Sequence, residues 1–472
     1  MENNLKLSIS ENGNPNYLAT ICKIENLYPI ENADRLVRTV VNGFDMVVSK
    51  ETQIGDIVVY FPCESQISRD YLSANNLYEL SEYIMNDNSL EVHQLLLQNK
   101  SDEAKALVGF FNKRGRVRIL KLRGQYSMGF IAGVNSLEKA YGLKNVDWNN
   151  LIGTQFDSIN DQIIVKKYIP IDQTKHSVSK SKTSKQKNTF DRLIPGEFEF
   201  HYDTTMLAEH IKDVSPEDVV SITVKCHGTS VIISNVLCNK KLTFWEKVKK
   251  FFGAKVQSTE YGNVYSSRKV IKNRYINPTA GSYYPEDVWG FVNRDFSKFL
   301  DQDMTVYGEI VGYVEGTSQF IQKNHDYGCE VGTWKFMPYR IVSKTFDGQK
   351  YEWNVSEVVD WTNKIQRENP TLRDKILPLN VLYHGKFKNL FPEINVDENW
   401  HILTLEKMKQ KGNIFGMELK EPMCKNTVPR EGIVLRIDND KFPRAWKLKT
   451  KAHYELEAKQ HDAGDTDMEE LS

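Results

Sequence analysis

The chain has no excess of either charge. Its 472 residues carry 62 Lys and Arg against 62 Asp and Glu, for a formal net charge of zero. That excludes a histone-like, uniformly basic binder of nucleic acid, while leaving room for a local basic surface. Paired cysteines are missing too. The six present, Cys22, Cys63, Cys226, Cys238, Cys329 and Cys424, are scattered with no Cys-x-x-Cys. Such spacing fits neither a zinc site nor a small disulfide framework. Free thiols in a reducing compartment are the simple reading, so an intracellular, cytoplasmic protein is expected. No apolar run approaches the ~18 residues that a membrane helix needs. Residues 1–15 are too polar for a secretory signal. The expectation is a monomer without a membrane partner.

What is present is an ordinary globular composition, 40% hydrophobic and 26% charged. The length suits two or three domains. Residues 1–168 read as strand-rich: β-type runs at Leu36–Val41, 46–48 and Ile57–Phe61 alternate with turn signals such as Asn42-Gly43. A leucine-bearing helical stretch covers about residues 70–107, and strands return at 116–122 and 129–133. Many short strands of this kind suggest a small barrel. Residues 169–193 include a Lys/Ser-rich run from Lys175 to Lys187 with almost no apolar side chain. It cannot offset the entropy of ordering and is expected to be a flexible linker. A second domain is expected over residues 194–456. Within it, Thr243 to Lys255 reads as a short basic amphipathic helix with its aromatic side packed. Residues 457–472 read as an acidic tail.

The chemistry concentrates around Lys225. In Ser221-Ile222-Thr223-Val224-Lys225-Cys226, apolar Ile222, Val224 and Cys226 alternate with the rest, which predicts a strand with Lys225 on its other face. His227-Gly228-Thr229-Ser230 then turns the chain, and Val231 to Ile233 returns as a strand. A lysine at a strand end beside a glycine turn is well placed to attack a phosphate held nearby. A free lysine has a pKa near ~10.4, so such a nucleophile needs desolvation or neighbouring cations. Ala445-Trp446-Lys447-Leu448-Lys449 supplies them: in a strand Lys447 and Lys449 share one face, turned towards a triphosphate, while Trp446 and Leu448 pack. Glu309 and Glu431 sit in apolar strand surroundings, where an unpaired charge is costly. Metal, lysine or ribose hydroxyl are the partners open to them. Gly308 and Gly432 beside them would let a ligand approach the backbone.

In order along the chain, Lys225-Cys226-His227-Gly228-Thr229-Ser230, Ser266-Ser267-Arg268-Lys269, Tyr307-Gly308-Glu309, Lys335-Phe336-Met337-Pro338-Tyr339-Arg340-Ile341, Glu431-Gly432-Ile433-Val434-Leu435-Arg436 and Trp446-Lys447-Leu448-Lys449 resemble the motifs of the covalent nucleotidyltransferases, the superfamily of polynucleotide ligases and capping enzymes. Each motif alone is weak, and their order is what carries the resemblance. Lys-x-His-Gly-Thr resembles the RNA ligases, since DNA ligases and capping enzymes usually have Asp where His227 stands. The 23 residues after Lys449 are too few for the OB barrel that those other enzymes place there. The large extra domain comes first instead, as in Deinococcus-type and Naegleria-type RNA ligases. Residues 112–125 also look like the first domain of that family.

The resemblance implies an α+β architecture: an N-terminal OB-like β-barrel domain, then an adenylyltransferase domain of antiparallel sheets with flanking helices. It implies that Lys225 takes AMP from ATP and passes it to an RNA 5′-phosphate, which a 3′-hydroxyl end then joins. Nicked duplex is one form that such RNA could take. Arg268 would grip phosphate or ribose, Glu309 would contact ribose or metal-bound water, Phe336 would stack on adenine and Val434 would pack against the base. Lys447 and Lys449 would bind the phosphates. Glu431 would hold the water shell of Mg²⁺ or Mn²⁺, with Glu309 as the other carboxylate at the metal. His227, beside Gly228, would contact ribose or only shape the turn. Arg116, Arg118, Lys121 and Arg123 read as an exposed basic strand suited to RNA phosphates. The rival functions are a DNA ligase, a guanylyltransferase, or a non-catalytic RNA-binding protein.

Overall fold

The computed structural model describes residues 5–170, 192–273, 283–345, 347–417, 419–438 and 444–464. Residues 171–191, most of the expected linker, and 465–472, half of the expected tail, lie outside that set. The chain divides into two compact units, Met1–Pro170 and Ile171–Ser472.

In the first unit, four short strands pair in the order Phe130–Gly133, Ile57–Phe61, Ala19–Lys23 and Gln155–Phe156. Apolar side chains from this sheet, Ile21, Val59, Phe61 and Phe156, close a core with Tyr71 and Trp148. A second sheet contains the hairpin Leu36–Val41/Phe44–Ser49. Its two loop residues, Asn42 and Gly43, both have positive φ (50° and 79°), as a two-residue hairpin turn requires. The helical stretch is broken into Arg69–Ala74, the 3₁₀ turns Leu80–Met85, then Ser89–Leu97 and Ser101–Ala106.

The expected strand over 116–122 forms only at Leu120–Leu122, paired with Gln125–Ser127 around an Arg123-Gly124 turn. Upstream, Val117 is held elsewhere: its N–H donates to Ser65 O and its carbonyl accepts from Glu64 N–H, both at 2.8 Å.

The second unit is built on two five-stranded sheets. The first runs β1-β10-β9-β2-β8, where β1 is Thr205–Met206, β2 Val219–Lys225, β8 Val381–Lys386, β9 Gly432–Ile437 and β10 Ala445–Lys449. All its pairs are antiparallel except β1 with β10. The second runs β4-β3-β5-β6-β7, all antiparallel, with β3 at Thr229–Asn239, β4 Thr259–Ser266, β5 Met304–Gly312, β6 Trp334–Lys344 and β7 Lys350–Glu352. The helix Val288–Phe296 lies on this sheet, burying Trp289, Val292 and Phe296 with Val231, Ile233, Val306 and Ile310.

Two further helices bear on function. Helix α1, Phe244–Phe251, forms in the β3–β4 connection, with Thr243 and Glu246 making a capping box. Its aromatic side is not packed as expected: Phe244, Trp245, Phe251 and Phe252 are 71–86% exposed. Helix α2, Lys451–Asp462, is capped by Thr450, whose hydroxyl accepts from His453 N–H at 3.1 Å. It runs past residue 456, so the first part of the expected tail is ordered helix. All six cysteines are free and buried. Among the described residues no helix is long and apolar enough to cross a membrane.

Candidate active site

Register builds the site. Across three neighbouring strands Lys225 pairs with Gly432 and Gly432 with Lys449; two residues along, Thr223 pairs with Val434 and Val434 with Lys447. Directly paired residues share a face of a sheet, and so do residues two apart on one strand. Lys225, Lys447, Lys449 and Val434 therefore stand on one face. Trp446 and Leu448 point the other way and are buried. Three lysines on one patch repel one another. Burial, with Lys449 and Lys225 nearby, pushes the Lys447 amine down to about 7.

Carboxylates hold this positive patch together. Lys225 Nζ lies 2.8 Å from Glu431 Oε1, and Lys449 Nζ lies 3.1 Å and 3.2 Å from the two oxygens of Glu457 on α2. Burial alone would raise the Glu431 carboxyl, but Lys225, His453 and His227 outweigh it and hold it well below the usual carboxylate range. Glu457 is pulled down to about 2, burial being outweighed by Lys449 and two histidines. Arg268, from the Ser-Ser-Arg segment, makes an ion pair with Asp203.

The turn after Lys225 explains its glycine. A Cβ on Gly228 would lie 2.3 Å from Ile310 O and 2.7 Å from Glu309 Cγ, so only glycine lets the turn lie flat on β5. Tyr327 Oη accepts from His227 N–H at 2.6 Å, and Gln322 Nε2 donates to Gly228 O at 2.8 Å. His227 Nδ1 stands 3.7 Å from Glu431 Oε2, and its ring meets those of His325 and His453 edge-on at 4.8 Å and 4.9 Å. Burial lowers His325 to about 4 and His453 to about 3, so both imidazoles are neutral near pH 7. His227, Glu431 and His453 bring three possible metal-ligand atoms within 4.8 Å of one another. Glu431 Oε2 is buried with no hydrogen-bond partner among the described residues.

Several expectations need correction. Phe336 is 0% exposed. It pairs with Ile310 on the core side of its sheet and meets Phe296 at 5.3 Å between ring centres, so it does not share the face that carries Glu309. Met337, paired with Glu309, does. Gly308 and Gly432 serve their own neighbours rather than a ligand: a Cβ on Gly308 would meet the Phe336 ring at 2.2 Å, and one on Gly432 would meet Leu448 O at 2.1 Å.

In the first unit Arg116 is not exposed. Its guanidinium forms a two-point ion pair with Glu64 at 2.8 Å and 2.7 Å and lies over the Tyr168 ring. Arg118 is half-buried, while Lys121 and Arg123 are exposed, Lys121 lying against Tyr126. Sequence reasoning missed Gln322, His325, Tyr327, His453 and Glu457. One signal was available: His453 and Glu457 are four residues apart, on one face of the helix that follows Lys449.

A family model described as an OB-fold domain matches residues 18–79. No curated protein matches the chain. Among solved structures, a lysine-to-alanine mutant of Naegleria gruberi RNA ligase with ATP and Mn is similar at a TM-score of 0.51 and 17% identity, covering 93% of this chain and 98% of that one. The same ligase with PPi gives a TM-score of 0.50 at 16% identity, again covering 93% and 98%. A glutamate-to-alanine mutant with AMP and Mn gives 0.50 at 17%, with the same coverage. The fold is thus α+β, an N-terminal OB-fold domain followed by antiparallel sheets with flanking helices. The three structures just named, all of Naegleria gruberi RNA ligase, share that fold with the chain.

Proposed function

We propose that this chain is an ATP-dependent RNA ligase. The observation that carries the reading is the register that sets Lys225, Lys447 and Lys449 on one sheet face, with Glu431 2.8 Å from the Lys225 amine. That is a nucleophile inside a phosphate-binding patch. Similarity to a ligase solved with ATP, AMP and PPi agrees with it.

In the first step Lys225 Nζ, having lost its proton, attacks the α-phosphorus of ATP. An N–P bond forms, the bond to the bridging oxygen breaks, and pyrophosphate leaves. Lys447 and Lys449 face the departing charge, and their positive field favours a neutral Lys225 amine. An RNA 5′-phosphate oxygen then takes AMP from Lys225. Finally the 3′-hydroxyl attacks that 5′-phosphorus, AMP leaves, and the phosphodiester is made. Arg268 grips phosphate or ribose once its pair with Asp203 opens, and Val434 lies against the base.

The residues present fit Mg²⁺ or Mn²⁺: Glu431 Oε2 has no hydrogen-bond partner among the described residues, and atoms of His227, Glu431 and His453 converge beside it. Bound there, such an ion supplies positive charge against the phosphates. Glu309 and Glu431 would hold its waters. Lys121 and Arg123 meet RNA phosphates from the first unit, with Arg118 beside them.

The test is sealing of a nicked duplex whose 3′-hydroxyl strand ends in RNA, compared with an all-DNA nick and with GTP in place of ATP. Sealing of the RNA-ended nick with ATP is expected. Equal sealing of the all-DNA nick would make the protein a DNA ligase, and dependence on GTP would move it to the guanylyltransferases.

A further inference from the structure

The ligase reading leaves α1 without a role. The helix stands in the connection between β3 and β4, at the end of β3 away from the Lys225 turn. β3 has 11 residues, which at roughly 3.3 Å per residue places the helix on the order of 35 Å along the strand from that turn. Its side chains segregate sharply. At 100° per residue, Phe244, Trp245, Val248, Phe251 and Phe252 fall within one arc of about 120°. Four of these five are large and 71–86% exposed. Isolated exposed apolar side chains are ordinary, but a contiguous aromatic face on an exposed helix marks a contact surface.

The charges around the arc say what kind of contact. Lys247 and Lys249 border it on either side, Lys250 lies behind it, and Lys241 and Lys255 flank the helix in sequence. All five are exposed, and none has a carboxylate partner among the described residues. The one acid of the segment, Glu246, is already taken by Lys240 at 2.7 Å and by the Thr243 cap. A helix with lysines at both edges of an aromatic face suits a flat anionic surface: rings enter the apolar boundary while ammonium groups reach the headgroups. Single-stranded RNA is the weaker fit. Its binding sites are grooves that follow the backbone with bases stacked along them, whereas this face is convex. Its rings also stand edge-to-face, Phe244 with Trp245 at 75° and Phe251 with Phe252 at 84°.

We infer that α1 docks this protein on an anionic lipid surface, leaving the Lys225 end of the unit open to substrate. This inference does not rest on the ligase reading, because lipid binding is measured without ATP or RNA.

The experiment is flotation of the full-length chain with vesicles of phosphatidylcholine alone or with 30% phosphatidylglycerol, at ~0.15 M salt. Recovery with the anionic vesicles, falling at least tenfold for the pair Trp245→Ser and Phe251→Ser, supports the inference. So does a similar fall for Lys247→Glu with Lys249→Glu. Both variants should keep the parent's melting temperature. Failure of the parent chain to float, or equal flotation of both double variants, overturns it. Unchanged flotation together with weakened binding of a 20-nucleotide RNA would assign α1 to RNA instead.

Discussion

The ammonium of Lys225 and the carboxylate of Glu431 form an ion pair at 2.8 Å, with the carboxylate almost completely buried. The proposed nucleophile is therefore engaged by the same group that is proposed to stand at the metal. This pair has to open before the Lys225 amine can attack. Glu431→Gln should keep the fold and lower single-turnover AMP transfer to Lys225 by on the order of 10²-fold or more, the size of effect expected for losing a preorganised charge in a catalytic site. Unchanged transfer would mean that the pair is only structural.

Lys447 should make stability depend on pH. Its amine is pushed down to about 7 by burial and by the neighbouring lysines, whereas an unfolded lysine titrates near ~10.4. Below about pH 7 both states are protonated and the fold carries the whole cost of the buried charge. Between about 7 and 10.4 the folded chain loses its proton first, so stability climbs with pH. Lys447→Met should therefore melt higher than the parent at pH 6 without nucleotide, by roughly 2–4 °C per 1 kcal/mol relieved. The gain should vanish near pH 10. Thermal unfolding of both proteins across that range checks it, and a gain that grows with pH would contradict the assignment.

Phe336 belongs to the core. Its ring is fully buried against Phe296 and fills the space over Gly308. Phe336→Ala should cost about 3–5 kcal/mol of stability, as large aromatic deletions in cores do. ATP affinity, measured below the melting transition, should change little. A variant of normal stability with weakened ATP binding would return Phe336 to the base-stacking role.

The basic segment of the first unit divides in the same way. Arg116→Ala strands a buried Glu64 carboxylate and should destabilise that unit by about 3–5 kcal/mol. Arg123→Ala, at an exposed turn, should stay within about 0.5 kcal/mol of the parent while weakening RNA binding and its salt dependence. Melting curves and RNA titrations at two salt concentrations distinguish the two residues.

Much of the site was legible before the structure. Alternation along two short runs put Ile222 and Val224 inside with Lys225 opposite, and Trp446 and Leu448 inside with Lys447 and Lys449 opposite. Both patterns are those found. Alternation says that two faces differ but does not say which one borders the cleft. That is why the sequence alone puts Phe336 on the wrong face of β6, whose pairing with β5 shifts register at Tyr307/Gly308. Arg116 was misread because its partner, Glu64, lies 52 residues away. The sequence puts the aromatic side of α1 inside because a ring-rich helix face is usually core, and no local pattern reveals that none of the described residues covers it. Gln322, His325 and Tyr327 come from a connecting segment with no repeat or motif, and only the folded chain brings them to the turn at Gly228.

The central claim is that Lys225 becomes covalently bound to AMP. Incubation with α-labelled ATP, GTP or NAD and Mg²⁺, followed by denaturation, measures it directly. Label from ATP alone, acid-labile and absent in Lys225→Ala, is the predicted result. Label retained in Lys225→Ala, or no label from any donor on protein freed of copurifying AMP, would contradict the account.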